Sequence, residues 1–454
     1  MSIPKIQLSG KANYRKIDEN IDFYELFQKI EKETENCFYL ESLGREGYDS
    51  RYSIIGLDPE IILTGKENSI QVGEESFQTE NPYYELRRII PSNVLSRNYS
   101  GGLVGYIGYE AINYFEPSLK LQTHQLFPIF QFGVYEDGLI LDKMTGEVFY
   151  FHFEKDRFSK VEKFIRAKVP KPENPIIKSL GYSMTKEEHR EKVLAAIEEI
   201  KSGNTFQCQV GFKSEFEIRG DSLPIYSELR QINPSPHMFY LKFSDKRLIG
   251  ASPELLFRLR NGEIESFPLA GSIKRGDYSE EDLKLAKILL NNPKEIAEHN
   301  MLVDLHRNDV GRVAKFGTVK VRRLMDIKKF SHIQHISSEV TGIIKKREDM
   351  FSGLATSFPA GTLSGAPKIE SMKIIERLEN NPRGPYGGAL GHFGFNGDCT
   401  FAIPIRTLFI SGSYAFTQAS GGIVYDSTPE GEYDEVIRKS AAIEKVIKKF
   451  SGNQ

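Results

Sequence analysis

The 454-residue chain is long enough to bury a sizeable core as one large domain with a smaller companion, or as roughly two or three average ones. Lys and Arg total 60 against 62 Asp and Glu, a net charge of -2 with no long run of either sign, which excludes the electrostatic footprint of a nucleic-acid binder. No stretch of about 18 uninterrupted apolar residues occurs, which excludes a helical membrane span.

The opening residues, MSIPKIQLSGKANYRKI, lack the apolar core of a signal peptide, and Cys37, Cys208 and Cys399 lie far apart with no paired spacing. Both features point to a reducing, cytoplasmic compartment and to thiols that are simply buried. Up to about residue 175, runs such as SIIGLDPEIILTG, GGLVGYIGYEAI and FQFGVYEDGLILD cluster β-branched and aromatic residues between Gly and Asp turns and read as strands. The three prolines of KVPKPENPIIKSL stop regular structure, so a linker near Pro170 to Leu180 separates a strand-rich region, 1–175, from a second region, 182–450.

Thr185 and Glu188 form a capping-box pattern ahead of a helix in which Val193, Ile197 and Ile200 share one face and Gly203 closes the end. A strand, TFQCQVGFKSEFEI, follows. Helices are predicted for EEDLKLAKILL, PKEIAEHNMLVDLHRND, IESMKIIERLE and GEYDEVIRKSAAIEKVIKKF, and strands for IESFPLAGS, KVRRLMDI and TFAIPIRTLFI. These elements do not alternate as βαβ units, so the fold class is α+β rather than a doubly wound parallel sheet.

Two acidic pairs stand out. Glu295 with Glu298, and Glu432 with Glu435, each place two carboxylates on one helical face. An isolated pair of this kind is ordinarily solvated surface, but two brought together supply hard oxygen ligands for an octahedral Mg²⁺ that keeps several waters and binds an anionic substrate. PAGTLSGAPK, 359–368, is either an ordinary helix-entry loop or a turn whose N–H groups face an anion. Gly421 and Gly422 permit close backbone approach. Arg406 interrupts an apolar strand-like run and needs an anionic partner, either a substrate or a structural carboxylate.

Taken in order, GNTFQCQ, NPSPHMFYL, GASPELL, PLAGSIKRG, KEIAEHNMLVDLHRNDVGRV, SHIQHISSEVTG, FPAGTLSGAPKIESM, RGPYGGALGHFGFNGD, AIPIRTL and SGGIVYDSTPEGEYDEV resemble the serial motifs of the chorismate-utilising enzymes over about residues 182 to 450. FYLESLG and SRYSIIGLDPE resemble the start of anthranilate synthase large subunits and of their aminodeoxychorismate synthase relatives. The resemblance implies layered antiparallel sheets with flanking helices. It also implies Mg²⁺-dependent conversion of chorismate and ammonia to anthranilate and pyruvate, the first committed step of tryptophan biosynthesis. By the same resemblance Glu298 and Glu435 bind Mg²⁺ directly, with Glu295 and Glu432 in support through water. Lys439 lies near the ring carboxylate. Tyr386, Arg406 and the backbone at Gly422 hold the enolpyruvyl carboxylate, while Thr362, Gly271 and Ser272, the last where threonine is usual, line the ring. Glu254 matches the general acid for loss of the C4 hydroxyl, a role that needs a protonated carboxyl in a poorly solvated place. His335 matches the histidine associated with pyruvate elimination; His332 matches no functional position.

Three positions choose among sister activities. A water-activating lysine is replaced by Gln207 or Gln209; counting from the preceding helix selects Gln207 and counting back from Phe216 selects Gln209, which implies a bulge. We take Gln207 as the family position. Ala270 stands where many aminodeoxychorismate synthases have a nucleophilic lysine, which favours direct ammonia addition. No glycine-x-cysteine-x-glycine elbow occurs, so a separate glutamine amidotransferase subunit is implied. A tryptophan feedback site is implied at Leu40, Glu41 and Ser42 with Pro236, His237 and Met238, His237 replacing the usual tyrosine. The alternatives are an aminodeoxychorismate synthase large subunit and a non-catalytic amino-acid-sensing homologue.

Overall fold

The computed structural model describes residues 3–43, 51–91, 93–96, 98–276, 278–329 and 333–451. Local signals act as expected where they are self-contained. Thr185 caps the helix Lys186–Lys201 in a reciprocal capping box with Glu188, and Gly203 leaves it at φ +78°. Helices Ser279–Leu290, Pro293–Val313, Lys368–Leu378 and Pro429–Phe450 occupy the predicted segments.

Two twelve-stranded sheets form the body, and their strands pair antiparallel throughout the described residues. The first runs Asn13–Ile17, Glu147–His152, Asp137–Asp142, Tyr52–Leu57, Asn36–Glu41, His237–Phe243, Lys246–Ser252, Thr407–Ser411, Tyr414–Ile423, Gln207–Arg219, Ile176–Tyr182. Gly365–Ala366 adds a short pairing to Gln207–Arg219. The second runs Leu269–Lys274, Ile333–Ile343, Glu263–Ser266, Leu255–Arg260, Cys399–Ala402, Ala389–Gly394, Gly102–Ile107, Phe130–Tyr135, Ile61–Lys66, Ser69–Val72, Glu75–Gln78. Lys320–Lys329 pairs with Ile333–Ile343. This is the α+β architecture expected from the element order. Segment 168–175 carries no regular structure, and strands from either side of it are hydrogen-bonded neighbours in both sheets, Asn36–Glu41 with His237–Phe243 and Gly102–Ile107 with Ala389–Gly394.

Period-two alternation explains why the central strands of the first sheet are apolar on both faces. Phe38, Phe239, Leu241, Leu248 and Phe409 share one core with Tyr106, Phe132, Phe393 and Phe401 of the second sheet. Their neighbours Tyr39, Tyr240, Ile249 and Leu408 share another with Phe27 and Ile30 of helix Phe23–Glu33 and Ile443 and Val446 of Pro429–Phe450. Each such large side chain contributes about 1.5–3 kcal/mol by leaving water.

Proline corrects two of the strand boundaries. IESFPLAGS divides into Glu263–Ser266 and Leu269–Lys274 around Pro268, and TFAIPIRTLFI into Cys399–Ala402 and Thr407–Ser411 around Pro404, because proline has no N–H to give the ladder. The expected bulge in Gln207–Arg219 is absent: its register with Tyr414–Ile423 is unbroken from Cys208↔Ile423 to Glu217↔Tyr414, and the irregularity lies in the other partner, between Ser179 and Gly181. All three cysteines are buried and unbridged. No helix among the described residues is long and apolar enough to cross a membrane.

Candidate active site

Glu254 and Arg406 stand at two adjacent places where the chain passes from one sheet to the other, between Lys246–Ser252 and Leu255–Arg260 and between Cys399–Ala402 and Thr407–Ser411. Backbone bonds stitch the crossings together, Ile403 N to Glu254 O at 3.0 Å and Ala251 N to Arg406 O at 3.2 Å. Glu254 is buried, and burial pushes its carboxyl up to about 7 against the opposing pull of Thr362, Lys439 and Arg406. Thr362 Oγ1 donates to Glu254 Oε1 at 2.8 Å. Burial holds the Arg406 guanidinium below its usual range, and Glu254 offsets this in part. Arg406 also adopts φ +50°, a left-handed conformation uncommon outside glycine and one that often marks functional strain. No ion pair or side-chain hydrogen bond reaches its guanidinium among the described residues. A desolvated cation in this condition calls for an anion.

Thr362 lies in the short 3-10 turn Gly361–Leu363. The loop around it is sewn to strand Gln207–Arg219 by Gln209 N to Ser364 O, 3.0 Å, and by pairing of Gly365 and Ala366 with Cys208 and Gln207. Residues 359–368 are therefore a fixed ledge along that strand. Gln207 and Gln209 point to the same side, and a Cβ at Gly422 would meet their Nε2 atoms at 2.7 and 2.8 Å. Two amides thus close on one glycine. Ser420 continues that face, donating to Gln209 Oε1 at 3.3 Å and meeting Tyr386 Oη at 2.9 Å. Tyr386 is buried and its phenol is pushed up to about 12 by burial.

On the other sheet, His335 pairs across from Ser272, whose side chain lies outside the described positions. His335 Nδ1 lies 3.0 Å from Gly271 O. A carbonyl oxygen only accepts, so Nδ1 bears the proton and Nε2 is the lone-pair nitrogen of the neutral ring. Burial first, then Arg406, lowers this imidazole to about 4, which keeps it neutral. Gly271, at φ +64°, leaves room that any side chain would take from Glu295, whose Oε2 would sit 2.8 Å from an added Cβ. His332 is outside the described residues.

Glu295 and Glu298 lie in the first two turns of Pro293–Val313, and Glu432 and Glu435 in those of Pro429–Phe450. The Glu298 carboxyl is raised by burial and then by Glu295 and Glu435; that of Glu432 by burial and Glu435. The two pairs therefore face a common negative field. Glu432 Oε1 accepts from Ser427 at 2.6 Å, while Oε2, buried against Gly421, has no hydrogen bond. Lys439 Nζ donates to Ser420 O at 2.8 Å and pairs with Glu435 at 2.7 Å. Among the described residues no group of three or more His, Cys, Asp and Glu side chains converges closely enough to hold a metal ion. The donor set nevertheless suits a hard dication: all-oxygen, mutually repelling, and with one buried carboxylate oxygen lacking a partner.

A fully buried ion pair escapes detection in the sequence. Arg383 pairs with Glu379 at 2.7 Å, donates to Leu363 O at 2.5 Å and Gln209 O at 2.9 Å, and lies over the Tyr109 ring. The motif RGPYGGALGHFGFNGD contains Arg383 but carries no local sign that it is buried.

The two segments expected to form a tryptophan site are brought together because Asn36–Glu41 pairs with His237–Phe243, Met238 opposite Glu41, and Leu43 N donates to Ser235 O at 2.9 Å. Leu40 packs on the core between the sheets, and Met238 on the outer one. Ser42 Oγ is buried without a hydrogen bond. Glu41 already accepts from Tyr39, Tyr226 and twice from Arg230, which makes its carboxylate a structural anchor.

A model of the chorismate binding enzyme family matches residues 22–445. The chain is 54% identical over 461 residues to anthranilate synthase component 1 of Leptospira biflexa, covering 99% of each chain. It is 42% identical to that of Methanothermobacter thermautotrophicus, covering 94% of this chain and 93% of the other. Among solved structures, anthranilate synthase component I from Streptococcus pneumoniae superposes with a TM-score of 0.80 at 31% identity, over 88% of this chain and 93% of that one. The menaquinone-specific isochorismate synthase of Escherichia coli gives 0.74 at 16% identity, over 97% and 96%, and shares the fold. With a family match across nearly its whole length and the fold to go with it, this chain belongs to the chorismate binding enzymes.

Proposed function

We propose that the chain converts chorismate and ammonia to anthranilate, pyruvate and water, the reaction for which its full-length relatives are named. The observation that carries this reading at the site is a buried carboxylic acid, Glu254, held by Thr362 beside an Arg406 guanidinium that has no carboxylate of its own.

Arg406, with Tyr386 and the backbone at Gly422, holds the enolpyruvyl carboxylate, and the small walls at Gly271 and Ala270 leave the ring face open. Gln207 and Gln209 present amides, which have neither the charge nor the basicity to activate water for attack, so ammonia is the nucleophile at C2. As the C2–N bond forms, the C4–O bond breaks, Glu254 gives its proton to the departing oxygen, which leaves as water, and the new ammonium group releases its extra proton to solvent. His335 Nε2, the unprotonated nitrogen, then takes the proton from C2 while the C3–O bond breaks, and the released enolpyruvate becomes pyruvate on protonation. Thr362 keeps Glu254 aligned.

Glu298 and Glu435, supported by Glu295 and Glu432, would hold Mg²⁺, with Lys439 beside them. When bound, that ion supplies positive charge for the ring carboxylate of chorismate. A separate glutaminase subunit delivers ammonia, and tryptophan binds where Leu40 and Ser42 adjoin Pro236, His237 and Met238, Glu41 bracing the strand.

The test is a product assay of the purified chain with chorismate, Mg²⁺ and ammonium salt at raised pH. Fluorescent anthranilate is expected, and aminodeoxychorismate in its place would refute the reading. Glutamine should serve only after a glutaminase subunit is added; its use by the single chain would contradict the division of labour.

A further inference from the structure

Helix Pro293–Val313 buries His299, Leu302, Val303, Val310 and Val313. Along the border of that face run three half-buried polar side chains, Glu295, His306 and Asp309. Beyond the acidic end, His299 is fully buried with Nε2 at 2.7 Å from Ser338 Oγ. His306 Nδ1 lies 2.7 Å from Ser266 Oγ, and Asp309 lies 3.5 Å from Lys368 Nζ at the start of helix Lys368–Leu378. Burial lowers the His306 imidazole to about 3, which keeps it neutral, and raises the Asp309 carboxyl against the opposing pull of Lys368 and Arg312.

Ser266, His306, Asp309 and Ser357 line a small chamber that Glu254 also borders. Its cavity volume is about 10 Å³. That is the room one water needs, and the polar walls offer the two to four partners that hold a buried water in place.

We infer that one water in this chamber joins Glu254 to Asp309, steadied by His306 and Ser266, and that the resulting chain returns a proton to Glu254 after each turnover. This rests on Glu254 being the general acid of the proposed function. Having given its proton to the departing C4 oxygen, Glu254 is left as a buried carboxylate. An O–H bond of the water then breaks toward Glu254 while the O–H bond of Asp309 breaks toward the water oxygen. Glu254 gains one proton, Asp309 loses one, the water is unchanged and no electron moves. Asp309, with its side chain 13% exposed, recovers a proton from solvent. The charged and titratable groups facing the two ends are Lys439 and Arg406 at Glu254, Lys368 and Arg312 at Asp309, and Lys368 and His299 at His306. His306 and Ser266 act as positioning residues.

The full chain is assayed with chorismate, Mg²⁺ and ammonium salt as the parent and as Asp309→Asn, Asp309→Glu, His306→Gln and Ser266→Ala, with folding checked by circular dichroism. For Asp309→Asn, kcat should fall by roughly tenfold or more, within the range of a lost proton-transfer group. KM for chorismate should stay within about twofold, and the solvent deuterium isotope effect on kcat should rise as proton return becomes limiting. Asp309→Glu should recover part of the rate, and His306→Gln and Ser266→Ala should show a smaller rise in the isotope effect. If Asp309→Asn fails to fold, the isotope effects of His306→Gln and Ser266→Ala decide. Parent-like kcat and isotope effect in the folded variants, with Glu254→Gln inactive, overturn the relay alone. A parent that makes no anthranilate, or a fully active Glu254→Gln, overturns the relay together with the reading beneath it.

Discussion

Thr362 Oγ1 donates to Glu254 Oε1 at 2.8 Å across 108 residues of sequence, from a ledge sewn to one sheet to the point where the chain crosses to the other. The bond occupies Oε1 and leaves Oε2 as the oxygen to carry the proton. Burial then keeps that proton in place up to about pH 7.

Catalysis by the acid form predicts that, at constant free ammonia, kcat falls as pH rises through about 7. Glu254→Gln should lower kcat by about 10²–10⁴. Stability has the same pH dependence, but there the substitution acts in the opposite sense. An unfolded carboxyl releases its proton near 4.5 and the folded one near 7, so between these values the folded state binds more protons and loses stability as pH rises. Above 7 the penalty is complete, at up to about 3 kcal/mol. Glu254→Gln should therefore raise Tm above pH 7 and leave it unchanged below 4.5, in scans by differential calorimetry.

Arg406 is a desolvated cation, and the proposed function makes the substrate its anionic partner. Arg406→Gln should raise KM for chorismate by roughly 10- to 100-fold, the worth of a charged hydrogen bond of about 1.5–3 kcal/mol. The same change should leave Tm equal or higher, since it removes an uncompensated buried charge. A drop in Tm with unchanged KM would mark Arg406 as a structural ion-pair residue instead.

Burial first, and then neighbouring carboxylates, raises the Glu298 and Glu432 carboxyls, so a dication should relieve the repulsion and stabilise the fold. Mg²⁺ is expected to raise Tm in the absence of substrate, by the linkage expected of a ligand that binds only the folded state. Glu298→Gln and Glu435→Gln should lose both this shift and activity while remaining folded. Chelation should silence the parent. A full Mg²⁺ shift in either variant would remove these residues from the metal site.

The chain contains no tryptophan, so the emission of bound L-tryptophan can be followed against no indole background. Tryptophan should bind and inhibit competitively or partially. His237→Tyr should tighten inhibition by about tenfold for each 1.4 kcal/mol of contact regained. Ser42→Phe, filling the space beside an unbonded buried hydroxyl, should abolish inhibition and spare turnover. Glu41→Gln should instead destabilise, by about 3–5 kcal/mol for breaking a buried pair, because Arg230 would lose its counter-charge. No change in ligand emission, or inhibition that persists in Ser42→Phe, would rule the site out.

Features decided within a few residues are legible in the sequence by itself. The Thr185 cap, the helical face of Val193 and Ile197, and the i, i+3 glutamate pairs follow from backbone geometry alone. So does the absence of βαβ alternation that makes this an α+β fold. The ordered motifs are equally legible, and the family match bears out what they resemble. Counting along one strand cannot say whether Gln207 or Gln209 faces Gly422, because register belongs to a pair of strands; the unbroken ladder brings both amides to the same glycine. Nor can composition show that Glu41 is already saturated by Arg230, Tyr39 and Tyr226, or that His306 and Asp309 border a chamber with Glu254. Burial is a joint property of segments far apart in the chain, and it is burial that keeps Glu254 protonated, His335 neutral and Arg406 in need of an anion. Packing of the two sheets, and not local order, decides those states.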